Sequence, residues 1–177
     1  MHRNPYKIRW IAEKYQVRDA LGVPTEDLIY VPKYDEVVVD GNRLLNQGRD
    51  MLNQMLIGQG TPTPLSAQTA LVHVGDGGQV GEAATQTDLQ GTGAYNDLAG
   101  QPHKWKKGME PGFPQIIVAS GVVRFKSRFL SEEANFTWSE FGVSNGTILF
   151  NRKIASPVIG TKTTEDEWVF SVEITFS

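Results

Sequence analysis

The C-terminal stretch of the chain alternates without a fault: Trp168, Phe170, Val172, Ile174 and Phe176 share one parity, while Val169, Ser171, Glu173 and Thr175 share the other. That is the period of a β-strand with one buried face. Burying such apolar side chains at roughly 1.5–3 kcal/mol each contributes on the order of 10 kcal/mol before conformational entropy, so a strand central to the core is predicted. Residues 121–130 repeat the pattern, with Val123, Phe125 and Phe129 set against Arg124, Lys126 and Arg128, one face dry and the other positive. Shorter strands are expected over residues 69–74 and 115–119. The first closes on Gly75-Asp76-Gly77-Gly78, a turn whose glycines are read as supplying backbone freedom.

A different period appears between these strands and the N-terminal region. Leu44, Leu45, Met51, Leu52, Met55 and Leu56 recur at helical spacing and predict a helix over about 43–57. Asp40-Gly41-Asn42 would lead into it, and Gly58 or Gly60 would end it in a left-handed cap. Amphipathic packing accounts for the methionines as core filler.

In residues 134–154 the parity breaks. Phe136 and Trp138 share one strand face, but Phe141 and Val143 fall on the opposite parity. Keeping all four inward requires an extra residue near Ser139-Glu140, a β-bulge. Asn145-Gly146 then supplies the positive φ angles of a tight hairpin, and Ile148 and Phe150 re-enter the core. Phe136, Trp138, Asn145, Gly146, Trp168 and Phe170 are thus core and hairpin residues, with Glu140 left exposed and facing a partner. One helix among several short strands with frequent turns predicts a mainly β fold, an antiparallel β-sandwich or small barrel of jelly-roll or tulip-like form.

Residues 1–40 read as an extended N-terminal arm ahead of a β-rich globular domain spanning 41–177. The arm is basic at first (Arg3, Lys7, Arg9, Lys14 and Arg18 against Glu13), is broken by Pro24 and Pro32, and carries short strand-like pieces at 25–31 and 36–39. At about 3.3 Å per residue it could reach on the order of 100 Å. Its aromatics Tyr6, Trp10, Tyr15, Tyr30 and Tyr34, with Arg9, need a surface, either the protein's own core or a neighbouring subunit. On the second reading, removing residues 1–35 leaves a folded domain. Residues 79–112 form a long polar, glycine-rich loop, expected to be functional or held by a partner. It contains the basic cluster Lys104-Trp105-Lys106-Lys107, read as a docking patch for an acidic protein surface.

Composition narrows the functional classes. The 177 residues include 18 glycines, nine prolines and no cysteine, with 40% apolar and 21% charged residues, which suits a single β-rich core without disulfides or thiolate chemistry. A net charge of −3 and a pI near 5.6 disfavour nucleic acid as the main partner. No stretch approaches the roughly 20 apolar residues of a membrane span, and the N-terminal residues lack the apolar run of a signal peptide. On that ground the triplets Asn135-Phe136-Thr137 and Asn145-Gly146-Thr147 are expected to carry no glycan.

Catalytic templates come up short. His2, His73 and His103 are not spaced for metal ligation, and His73 is read as a half-buried strand residue bonded to backbone. The glycine turn at 75–78 lacks the further glycine of a dinucleotide loop and the Gly-Lys-Ser of a P-loop. Asp76, Glu82 and Asp88 do not fit a calcium loop, and the acidic runs at 132–133 and 165–167 read as solvated turns. The expectation is a non-enzymatic protein with no catalytic residue, cofactor, metal, small-molecule substrate, nucleic acid or membrane partner.

Taken in order, Leu44-Leu45-Asn46, Val74-Gly75-Asp76-Gly77, Ala83-Ala84-Thr85-Gln86-Thr87-Asp88-Leu89-Gln90-Gly91, the 134–142 segment Ala-Asn-Phe-Thr-Trp-Ser-Glu-Phe-Gly, Leu149-Phe150-Asn151-Arg152-Lys153-Ile154 and Gly160-Thr161-Lys162-Thr163 form a series. From about Asn42 to Phe176 it resembles a family of small virion structural proteins of tailed bacteriophages. The resemblance implies assembly in the host cytoplasm and one of two roles in the virion. A capsid decoration, or cement, protein would bind the outer surface of the major capsid lattice as a homotrimer, its arm crossing onto capsid subunits and neighbouring copies. A tail, baseplate or fibre-attachment protein would use the same kind of β domain. The arm's reach favours the cement role.

Overall fold

A computed structural model of the chain describes residues 6–17, 33–97 and 103–176. In chain order its elements begin with β1 (Tyr6–Gln16), β2 (Lys33–Asp40), β3 (Arg43–Leu44), helix α1 (Asn46–Ile57), β4 (Leu71–Gly75) and β5 (Lys104–Gly108). They continue with β6 (Gln115–Ile117), β7 (Val122–Phe129), β8 (Thr137–Trp138), β9 (Glu140–Ser144), β10 (Leu149–Ile154), β11 (Gly160–Thr161) and β12 (Asp166–Phe176). Two five-stranded antiparallel sheets, ordered β2-β1-β12-β7-β6 and β3-β10-β9-β4-β5, form a sandwich, with β11 and β8 as a two-stranded ribbon. The mainly β class expected from the sequence is what the chain adopts.

The predicted C-terminal strand is central. β12 pairs with β1 on one side, from Tyr6 opposite Phe176 to Gln16 opposite Asp166, and with β7 on the other. Trp168, Phe170, Val172 and Ile174 are buried as the alternation requires, and on β7 Phe125 and Phe129 join them. The interior between the sheets is a chain of rings: Trp10 lies 5.9 Å from Phe170, Phe170 4.9 Å from Phe141, and Trp138 4.7 Å from Trp168. Ring pairs at these separations add to the burial term through edge-to-face and offset contacts.

Residues 6–16 and 33–40 are not an arm leaving the domain. They are strands of the first sheet, and Trp10 is fully buried in the core while its indole nitrogen donates to the Gly41 carbonyl at 3.0 Å. The inward positions of β1 are Ile8, Trp10, Ala12 and Lys14. A lysine in that register hides the alternation, because it reads as a solvated position. Lys14 is nevertheless buried, donating to Asp35 at 2.6 Å and to the Ile159 carbonyl at 2.9 Å, with its ammonium 5.0 Å from the Trp168 ring centre. The strand-like piece expected at 25–31 and Tyr30 lie outside the described residues.

The helix is nearly where the periodicity put it and ends at Gly58 with φ of 64°. Its buried stripe is narrower than predicted: Gly48 and Met51 face the sheet, whereas Met55, Leu56 and Ile57 are exposed. Gly48 permits the close approach, since a Cβ there would lie 2.2 Å from the Phe150 carbonyl oxygen. Lys104-Trp105-Lys106-Lys107 is not loop but β5, paired with β4.

Candidate functional site

The parity break at Ser139 is where the chain passes from the β8 ribbon into the second sheet. β8 pairs with β11, and one residue later β9 pairs with β10 and β4. All five residues of β9 are buried, so Glu140, expected at the surface, lies in the interior with no exposed area.

Glu140 is held by a dense set of donors. One carboxylate oxygen accepts the backbone N–H groups of Gly77 at 3.1 Å, Gln90 at 2.8 Å and Gly91 at 2.6 Å. The other accepts Arg152 Nε at 2.8 Å and Nη2 at 2.7 Å. Arg152, on the neighbouring β10, is equally buried. Its remaining N–H groups reach the carbonyls of Gly77 at 3.1 Å and Val80 at 3.0 Å, and the side chain of Gln86 at 3.0 Å. A two-point arginine–carboxylate pair with every donor used is the arrangement that makes a buried charge tolerable. It organises residues 77–91, which explains why a long polar segment is ordered without regular structure: the chain itself holds it.

The glycines of 75–78 serve this node by their small size rather than by backbone freedom, for none of Gly75, Gly77 and Gly78 has a positive φ. A Cβ on Gly77 would sit 2.3 Å from the Gly91 nitrogen and 2.4 Å from Glu140 Oε1. Likewise only Gly146 of the Asn145-Gly146 turn takes a positive φ, 89°. Asn145 closes the turn with its side chain, whose oxygen accepts the N–H groups of Thr147 at 3.1 Å and Ile148 at 2.7 Å. Its amide nitrogen donates to the Thr63 carbonyl at 2.8 Å and the residue is buried, so the triplet at 145–147 is not open to glycosylation.

A second polar cluster lies beside the node. His73 on β4 is buried, with Nε2 2.7 Å from Ser144 Oγ and Nδ1 3.1 Å from the Tyr95 hydroxyl. Tyr95 donates in turn to Asp88, which also receives Lys104 Nζ at 3.1 Å. Burial pushes the His73 imidazole down to about 4, against which the Asp88 charge acts, while burial and the bond to Asp88 push the Tyr95 phenol up. His73 is thus bonded to side chains, not to backbone as its strand position suggested. The Ser144–His73 contact has the form of a nucleophile and its base, but both residues are less than one-tenth exposed, at 3% and 6%, and Ser144 Oγ already accepts the Gly146 N–H at 3.1 Å. The arrangement orders a loop; it does not present a nucleophile.

The remaining predicted site residues are dispersed. Arg9 is exposed and pairs with Asp40 at 3.4 Å, Tyr6 and Tyr15 are half-buried, and Tyr34 is about half exposed, donating to Asp166 at 2.9 Å. Burial and that bond raise the Tyr34 phenol to about 12. Within β5, Trp105 is buried, Lys104 and Lys107 pair with Asp88 and Glu133, and Lys106 lies 5.3 Å from the Tyr95 ring centre. Two of the three lysines of the basic cluster are therefore paired with carboxylates of the molecule itself, and the third, Lys106, has a ring contact only. Asp166 and Glu167 are buried at the start of β12 rather than solvated, Glu167 pairing with Arg128 at 2.6 Å. Lys162, also buried, donates to Asn135 at 2.8 Å, and burial lowers its ammonium to about 8. Among the described residues no group of histidines and carboxylates is placed to hold a metal ion.

The chain matches no family model, no curated protein and no solved structure. What stands in their place is internal: four separate sequence segments meet at one ion pair. Glu140 comes from the 134–142 segment, Arg152 from 149–154, Gly77 from 74–77, and Gln86, Gln90 and Gly91 from 83–91. Sequence reasoning missed the node, yet it left a signal, since Glu140 is the one charged residue in the aromatic stretch 136–143 and Arg152 the first charged residue after the apolar run 148–150.

Proposed function

We propose that the chain is a non-enzymatic virion structural protein of a tailed bacteriophage, and specifically a capsid decoration protein that docks as a trimer on the outer surface of the capsid lattice. The observation that carries this reading is the convergence just described. Four of the six motifs behind the resemblance to phage structural proteins meet in one buried structural node, which supports reading those segments as a framework. The perturbed groups support the same reading, because His73, Tyr95 and Lys162 spend their hydrogen bonds inside the molecule.

Docking then falls to the surface. Leu56 and Ile57 at the helix end are exposed at 84% and 63%, and Ile116 and Val118 in the β6–β7 hairpin at 69% and 88%. Apolar side chains this open are available to be covered by another subunit. The first and second sheets supply rigid mounts for both groups, and closed three-fold symmetry would couple modest contacts into firm binding. Quantitative mass spectrometry of purified particles tests the assignment. Hundreds of copies per particle are expected; absence from the particle overturns the virion reading, and a few to some dozens of copies replaces decoration with a tail, baseplate or fibre-attachment role.

A further inference from the structure

Hydrogen-bond directions around His73 leave a single consistent arrangement. The Gly146 N–H donates to Ser144 Oγ at 3.1 Å, so the Ser144 hydroxyl proton is free to donate to His73 Nε2 at 2.7 Å. On the other side Tyr95 gives its proton to Asp88, so His73 Nδ1–H donates to the Tyr95 oxygen at 3.1 Å. These partners fix a neutral imidazole with its proton on Nδ1. Tyr95 stands edge-on to the His73 ring, with centres 5.1 Å apart. Beyond Tyr95, Asn96 is tied to β5 in both directions: its side-chain oxygen accepts the Lys106 N–H at 2.9 Å and its amide donates to the Lys106 carbonyl at 3.1 Å.

We propose that His73 is the pin of an acid-released latch that holds residues 92–97 against β4 and β5. Adding a proton to Nε2 turns an acceptor into a donor aimed at Ser144 Oγ. That oxygen already receives Gly146, and the Ser144 hydroxyl loses its acceptor. The new positive charge is buried, and it faces Lys104 and Lys106 from β5 and Asp88 from the loop; on β9 the facing residues, Gly142 and Ser144, carry no charge. Two cations against one carboxylate, itself shared with Tyr95 and Lys104, do not compensate it. The ordering of residues 77–91 by Glu140 and Arg152 is independent of His73, so release stops at Gly91 and leaves the node closed. The contact of His103 with Asp76 lies on the node side of the latch. The inference does not depend on the virion assignment.

Residue-resolved amide exchange on the full chain at pH 7.5 and 4.5, with intrinsic rates corrected, tests the latch. The amides of Asn96 and Lys106 are expected to lose protection on the order of 50-fold at the lower pH, the shift given by a titrating group whose pKa falls from 6.5 when released to about 4 when latched. Those of Gln90 and Gly91 keep their protection. His73→Gln, which retains a partner for Ser144 but does not titrate, should abolish the difference between the two pH values. Where that variant does not fold, an NMR titration of the unmodified protein decides: the His73 ring resonances and the loss of Asn96 and Lys106 protection must share one midpoint. Acid opening that persists in His73→Gln, or that follows a midpoint other than that of His73, overturns the proposal.

Discussion

Replacing Arg152 with Met removes one half of the buried pair while roughly keeping its volume. Glu140 then stays in a site with no exposed area, still accepting the N–H groups of Gly77, Gln90 and Gly91 but without its cation. The carbonyls of Gly77, Val80 and Gly81 and the side chain of Gln86 lose their donor at the same time. Breaking a buried pair in this way costs about 3–5 kcal/mol, most of it the uncompensated charge. For a chain of this size that lowers Tm by about 10 °C. The cost should shrink when the charge is also removed, so Glu140→Gln with Arg152→Met is expected to be less destabilised than the two single variants summed, with a coupling of about 1–3 kcal/mol. Urea melts followed by tryptophan fluorescence read all four corners of the cycle. An Arg152→Met protein that melts within about 0.5 kcal/mol of the parent, the spread typical of unimportant surface changes, would refute the claim that this pair organises the sheet and the 77–91 segment.

Other outcomes follow from the same contacts. Removing residues 1–35, which an arm would tolerate, strips β1 with its buried Ile8, Trp10 and Ala12 and should leave no cooperative unfolding transition; a soluble, cooperatively melting product would restore the arm. Removing residues 167–177 takes Trp168, Phe170, Val172 and Ile174 from the core, roughly 6–12 kcal/mol of burial, comparable to the whole stability of a domain, and is likewise expected to yield unfolded protein by circular dichroism. Gly77→Ala forces a Cβ against the Gly91 nitrogen and Glu140 and should cost about 1–3 kcal/mol in a denaturant melt. Because burial holds the His73 pKa near 4 against an ordinary 6.5, its neutral form is favoured by folding: the stabilisation is full above pH 6.5, declines as pH falls, and is lost by pH 4. The loss amounts to about 2 kcal/mol at pH 5, and His73→Gln should flatten this part of the stability–pH curve.

The alternating runs were legible because most of their outward positions are polar and most inward ones apolar, as in β7 and β12, where only the inward Ser127 and the outward-parity Val169 depart from the pattern over 123–129 and 168–175. β1 was not, since Ala12 and Lys14 occupy inward positions and a lysine bonded to Asp35 and Ile159 looks, in one dimension, like any surface lysine. The parity break at Ser139 correctly marked an irregularity. Its structural meaning, a change of sheet that buries Glu140, depends on pairing with β10 and β4, which no local pattern carries. The same holds for the glycines at 75 and 77. Their positions suggested a turn, whereas what they provide is room for a carboxylate that arrives from more than 60 residues away. Long-range polar contacts of this kind bring together residue types that are individually ordinary, which is why the node and the His73 cluster were seen only once the strands were in place.

The proposed virion assignment is tested most directly by labelling phage particles, purified from a lysate in which this chain is detected, with gold-conjugated antibody raised against the folded protein. Gold distributed over the capsid surface is the predicted result. Particles that carry no label, from a preparation in which the antibody still recognises the free protein, would contradict it.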